Sequence, residues 1–219
     1  MDFKPEFVEE IAGRRAALGA VLTALFPRPQ AVIWEIGCGH GHFLARYATE
    51  APEKTCVGVD LCRDRIERGR RKSDRARLVN CHFVRAEARE FLRALPVHVV
   101  FEEIWVLFPD PWPKKRHHKN RLLQPEFFEA IASRTGEGAR LYFRTDFGEY
   151  FRAVETFLPA LQTWRTVPAA PWPLEHETVF QARAAAFRSL VAIRTSHPAR
   201  PIEIVAPGLP PPTNPKSAA

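Results

Sequence analysis

Apolar residues change their spacing repeatedly along the chain, and each change marks a change of secondary structure. In EFVEEIAGRRAALGAVLTALF (6–26) they recur at helical intervals until Pro27, which predicts a lead-in helix within residues 1–30. From residue 31 short apolar runs alternate with helical stretches. AVIWEI (31–36) precedes a glycine turn and HFLARYA; TCVGVD (55–60) precedes a basic helix; CHFVR (81–85) precedes EAREFLRAL. FEEIWVLF (101–108) is followed by PEFFEAIASR, and ARLYFRTD (139–146) by GEYFRAVETFL. Strands alternating with helices in this way predict an α/β fold, a Rossmann-like, doubly wound and mostly parallel sheet covered on both faces. The proline-rich connection VPAAPWPLEHE leads to TVFQARAAAFRSLVAIRTS, expected to supply a helix and a closing strand. One main domain over 31–196 results. In 197–219 prolines and small residues dominate without a period, which predicts a disordered tail.

In such sheets ligands sit over the carboxyl ends of the strands, so the first turn carries most information. It reads EIGCGHG, with Gly37, Gly39 and Gly41 between strand and helix, where backbone can approach a ligand closely. The dinucleotide fingerprint needs glycine at position 42, where this chain has His42. Glu35, just ahead of the glycines, would repel a pyrophosphate and attract a cationic amino group. Asp60 ends the second strand, where a carboxylate can accept from both hydroxyls of a ribose. Glu87 follows the third strand, placed to border an adenine. Amino acid, ribose and adenine together describe S-adenosylmethionine; the plainer alternative makes Glu35 and Glu87 solvated strand-end residues.

The fourth strand runs into FPDPWPKKRHHKNR (108–121), with one carboxylate, Asp110, ahead of five lysines and arginines. Prolines on both sides of Asp110 stiffen the loop. Trp112 can shield or stack on a flat base, and Lys114, Lys115, Arg116, Lys119 and Arg121 offer charge to phosphates. That order suits a methyl donor, an acceptor base and a polyanionic polymer beyond; a solvated basic loop is the alternative. The helix CRDRIERGRRKSDRAR (62–77), with eight basic and three acidic residues, either follows an RNA backbone or is a soluble face.

Charge supports the polyanion: across 219 residues Lys plus Arg number 32 against 25 for Asp plus Glu, a net charge of +7. No apolar run approaches the roughly 18 residues of a membrane span, and MDFKPEFVEE lacks the features of a signal peptide, so the chain reads as cytoplasmic without a membrane partner. Cys38, Cys56, Cys62 and Cys81 show no C-x-x-C pairing and read as reduced thiols; Cys38, His40 and His42 make a poor zinc set, and no metal is expected. Oligomeric state stays open.

On these residues the chain resembles the bacterial tRNA (guanine-N7)-methyltransferases over about residues 31–195, most specifically in FPDPWPKKRH. The resemblance implies that Glu35, Asp60, Glu87 and Asp110 line an S-adenosylmethionine site, with Asp110 also catalytic, and that Lys114 and Asp146 contact the tRNA. The family's T-x-F-E signature reads Thr178, Val179, Phe180, Gln181 here, with glutamine in place of the carboxylate that would meet guanine. The family's arginine-rich N-terminal approach is reduced to Gly13, Arg14 and Arg15. Two other readings stay open: a methyltransferase acting on an exocyclic base amine, whose D-P-P-[YF] loop occupies the same strand end, and an RNA-binding protein that has lost turnover.

Overall fold

The computed structural model describes residues 3–168, 170–174, 184–202 and 204–212. The lead-in helix is α1 (Pro5–Leu25), started by Pro5 in the first turn, where a missing N–H costs nothing. Five strand–helix repeats follow: β1 (Gln30–Ile36), α2 (His42–Glu50), β2 (Thr55–Asp60), α3 (Arg63–Arg75), β3 (Cys81–Arg85), α4 (Ala88–Ala94), β4 (Val99–Leu107), α5 (Pro125–Ala132), β5 (Thr135–Thr145) and α6 (Gly148–Phe157). The chain closes with β6 (Trp164–Thr166) and β7 (Arg188–Arg194).

The seven strands lie in the order β3-β2-β1-β4-β5-β7-β6. β1 to β5 are parallel, while β7 runs antiparallel to both β5 and β6. The order reverses at β1, so the carboxyl ends of β1 and β4 flank a switch point, the usual ligand site of open α/β sheets.

Alternation along the central strands divides the core between the two faces. Val32, Trp34, Ile36, Ile104 and Val106 enter one apolar cluster with α4, α5 and α6, where Trp34 packs on Phe91, Phe101 and Phe127. Ile33 and Trp105 point the other way, into a cluster with Phe43, Ile66 and Tyr142 beneath α2 and α3. Both faces are covered, which is why these strands read as nearly continuous apolar runs.

Two features differ from the sequence expectation. The basic stretch after the proline-rich loop winds into a 3-10 turn over Lys115–Asn120. The tail has no helix or strand among its described residues, yet it packs: Ile204 and Ala206 are buried, and the Pro210 carbonyl accepts from Arg15. Proline removes the N–H a ladder needs but leaves apolar surface to bury, so loss of period does not mean loss of packing there.

Candidate active site

The glycine turn follows directly from β1. Gly37, Gly39 and Gly41 take φ of 71°, 53° and 68°, left-handed values that side chains resist. The amides of Gly37 and Cys38 donate to the Val59 carbonyl at 2.8 and 3.1 Å, which ties the turn to the end of β2. A Cβ on Gly41 would stand 2.4 Å from the Phe83 ring, so this glycine is required by packing. A Cβ on Gly37 or Gly39 would meet nothing within 4 Å. At Gly37 the backbone faces open space that a ligand can occupy.

That space is a cleft of about 930 Å³ over the strand ends, large enough for a nucleoside cofactor and a flat base. Gly37, Asp60, Glu87, Asp110 and Trp112 all line it, brought together from residues that lie 75 apart in sequence at the extremes. A smaller hollow of about 340 Å³ beside Thr163 and His197 borders the start of β6 and holds none of them.

Asp60 is only 7% exposed and already engaged. One carboxylate oxygen accepts from the Gly39 amide at 3.0 Å and the other from the Cys62 amide at 2.8 Å, while Arg65 stands 3.6 Å away. A carboxylate has about four acceptor positions, so each oxygen keeps one for a ribose hydroxyl. Glu87 is the N-cap of α4: it accepts from the amides of Arg89 and Glu90 at 2.6 and 3.1 Å and pairs with the Arg89 guanidinium at 2.9 Å. Its free edge borders the cleft, where Ala86 and Ala88 supply apolar wall. Both acids therefore shape the turns that form the site.

Glu35 departs from the sequence expectation. Strand alternation gives it the same side of the sheet as Ile33, so its side chain lies among the groups beneath α2 and α3, and it is absent from the cleft wall. Burial pushes its carboxyl up to about 8, with Asp60 adding to the rise while the Leu44 amide and Lys72 oppose it. One carboxyl oxygen has no partner among the described residues. Burial in this arrangement favours the neutral acid. Gly39 and Gly41 also stand outside the wall, the first bracing Asp60 and the second packed on Phe83.

The loop after β4 builds another side of the cleft. Phe108 and Trp112 adopt φ of 49° and 43°, a region bulky side chains avoid at a cost of roughly 1–3 kcal/mol each. Between these two reversals Asp110 is exposed and lines the cleft. Arg121 braces the loop from below. It is buried, donates to the Pro111 carbonyl at 2.9 Å and stacks on Tyr150 with its guanidinium carbon 5.0 Å from the ring centre. Its expected role as a phosphate contact is thereby corrected: an arginine flanked by Tyr150 and Phe147 holds protein, not polymer.

Lys114, Lys115, Arg116 and Lys119 are exposed along the 3-10 turn, and Lys119 and Asn120 reach the cleft wall. Lys114, Arg116 and Asp146 are exposed but lie outside that wall. Thr178, Phe180 and Gln181 lie outside the described residues. Sequence reasoning missed Arg89, Leu122, Pro207 and Gly208, which also line the cleft. For Arg89 the available signal was a carboxylate two positions earlier, opening a helix.

Residues 29–185 match a protein family described as "Putative methyltransferase". The chain is 35% identical over 180 residues to the tRNA (guanine-N(7)-)-methyltransferase of Treponema pallidum, covering 80% of this chain and 71% of that protein. It is 30% identical over 171 residues to the enzyme of the same name from Syntrophotalea carbinolica, covering 78% and 72%. In fold it is similar to the 16S rRNA (adenine(1408)-N(1))-methyltransferase of Catenulisporales acidiphilia, solved with cosubstrate SAM, at a TM-score of 0.54 and 16% identity over 92% of this chain and 96% of that one. A glycine turn with open space above it, acids at the ends of β2 and β3, and an exposed aspartate after β4 thus occur on a methyltransferase fold, and the chain belongs to the tRNA (guanine-N7)-methyltransferase family, whose methyl donor is S-adenosylmethionine.

Proposed function

We propose that the protein methylates N7 of a guanosine in tRNA, the variable-loop guanosine being its target, and that it works in the cytoplasm. The observation that carries this reading is the exposed carboxylate of Asp110, set between two left-handed residues in a cleft whose rim is basic. When bound, S-adenosylmethionine supplies a sulfonium methyl that a ring nitrogen can take by in-line displacement, the C–S electrons leaving with S-adenosylhomocysteine.

The chain's own residues then have mainly positioning to do. Guanine N7 carries its lone pair at neutral pH, so no proton has to be removed and no general base is needed. Alignment alone can supply a large part of the rate, as effective molarities of well-held reactants show. Asp110 has two acceptor oxygens, matching the N1 and amino protons on one edge of guanine, and its charge opposes the positive charge that grows on the ring during alkylation. Trp112, more than a third exposed, offers a face for the base. Asp60 accepts from the donor's ribose, and Glu87 with its flanking alanines borders the adenine. Lys114, Lys115, Arg116 and Lys119 meet the tRNA backbone; Asp146, Thr178, Phe180 and Gln181 complete the contacts to the substrate.

The test is transfer from labelled S-adenosylmethionine to a tRNA transcript, followed by digestion and nucleoside chromatography. 7-Methylguanosine mapped to the variable loop is expected. N6-methyladenosine in the digest would transfer the site to an exocyclic amine, and RNA binding without any transfer would leave a binding protein.

A further inference from the structure

Beyond β7, and outside the residues that match the family, the chain returns to the cleft. Ile204 is buried in the main apolar cluster and Ala206 is buried beside it in sequence. Residues 206–209 form a tight turn: the Leu209 amide donates to the Ala206 carbonyl at 3.1 Å, and Gly208 has φ of 80°. Proline followed by a left-handed glycine is the composition of a type II turn, which needs little ordering because Pro207 presets its first dihedral. The tip of this turn, Pro207 and Gly208, is exposed to solvent and lines the same cleft as Glu87, Ala88 and Asp110.

Arg15 holds the segment there. Its guanidinium donates to both carboxylate oxygens of Glu90 at 2.6 and 3.0 Å, and the same terminal nitrogen that makes the second bond donates to the Pro210 carbonyl at 2.7 Å. Arg15 and Glu90 are largely buried, where a forked, charge-assisted pair is worth far more than on the surface. Glu90 lies in the first turn of α4, and its amide is capped by Glu87. The clamp therefore runs from α1 to the helix start that borders the adenine end of the cleft, and from there to the turn.

We infer that the segment 204–210 is an added wall of the methyl-donor site at its adenine end, and that Arg15 is the positioning residue that holds it in place. The inference rests on the assignment of the cleft to S-adenosylmethionine. Arg15 accordingly acts on the donor through the segment it holds. The apolar ring of Pro207 adds cover to the site, so its loss should show in donor affinity and leave the chemistry alone.

Hydrogen exchange on the full chain, with and without S-adenosylhomocysteine, provides the first test. Protection of amides in 204–212 together with those of the glycine turn is expected. Protection of the glycine turn alone overturns the inference and leaves the cleft assignment standing; protection of neither overturns both. The second test is calorimetry on two full-length variants, Arg15→Ala and Ile204→Ser, the second of which loosens the apolar anchor of the segment. Each should bind S-adenosylhomocysteine about tenfold more weakly, and the combination no worse than either alone, since both remove one wall. KM for the donor should rise by the same factor, with kcat at saturating donor and KM for tRNA unchanged. Arg15→Lys should recover only part of the affinity, because an ammonium cannot fork to a carboxylate and reach the carbonyl at once. Folded variants with wild-type donor affinity would refute the role of the tail.

Discussion

Glu35→Gln isolates the most perturbed acid beneath the site. The glutamate is 4% exposed and faces α2 and α3, and burial pushes its carboxyl up to about 8 from an ordinary value of 4.5. The groups around it pull in both directions: Asp60 on β2 raises it further, while Lys72 on α3 and the Leu44 amide on α2 lower it. Between pH 4.5 and 8 the folded chain keeps a proton that the unfolded chain has released. Stability conferred by this group is therefore full below about 4.5 and is lost as pH rises through 8. At 1.36 kcal/mol for each pH unit, the loss is on the order of 5 kcal/mol by pH 8.5 and about 3 kcal/mol at pH 7, a large share of a typical 5–15 kcal/mol total. Glutamine has nearly the shape of the protonated acid and does not titrate. Urea unfolding at pH 5, 7 and 8.5 should give similar stabilities for the two proteins at pH 5, with the variant ahead by several kcal/mol at pH 8.5. Parallel pH curves would refute the burial argument for Glu35.

Asp60→Ala strips acceptors from the Gly39 and Cys62 amides and from the ribose, so it should lower the melting temperature and weaken S-adenosylhomocysteine at least tenfold, as loss of a charged hydrogen bond of roughly 1.5–3 kcal/mol implies. Equal affinity by calorimetry would leave Asp60 as a brace only. Replacing Lys115 and Lys119 together by alanine should weaken tRNA binding and flatten its log–log salt dependence by about one to two units, and an unchanged slope would return them to a solvated face. Arg121→Ala should cut kcat about tenfold or more, a barrier rise of about 1.4 kcal/mol, with donor affinity and the salt slope unchanged; a slope lower by about one unit would restore its role as a phosphate contact.

The sheet was legible because each parallel strand is a run long enough to show its period and each is followed by an amphipathic helix. β6 has only three residues, too few for a period, and owes its existence to pairing with β7. The acids at the ends of β2 and β3 and the aspartate after β4 were legible by position, since strand ends meet over a switch point whatever the side chains do. Position does not settle the face of the sheet. Glu35 precedes the glycine turn by two residues, yet alternation turns it away from the cleft. Arg121 looked like one more cation in a basic loop. Its burial depends on Phe147 and Tyr150, contributed from 26 and 29 residues later, and nothing in the local charge pattern announces them. The tail misled for a different reason: a proline-rich sequence suppresses ladders, whereas its docking comes from Ile204 and from a single arginine at the other end of the chain.

The loop that carries Asp110 shows how such distant partners serve the chemistry. Two aromatic residues in left-handed conformations would relax if the loop were free. Its entry is held by the Phe108 amide, which donates to the Arg144 carbonyl at 2.8 Å, so pairing with β5 continues through the reversal. Its middle is held by Arg121 at the Pro111 carbonyl. Arg121 is itself fixed by stacking on Tyr150, whose hydroxyl accepts from the Leu123 amide at 2.8 Å and so locks the chain just beyond the basic turn. Asp110 is thus the exposed tip of a segment anchored on both sides, so the backbone presents its carboxylate to the cleft. For a methyl transfer that needs no proton moved, catalysis depends on where the base lies relative to the methyl group, and a misplacement of about 1 Å can cost two orders of magnitude. The strain at Phe108 and Trp112 is the conformational cost of holding the tip of this loop in place, offset by the buried arginine beneath it.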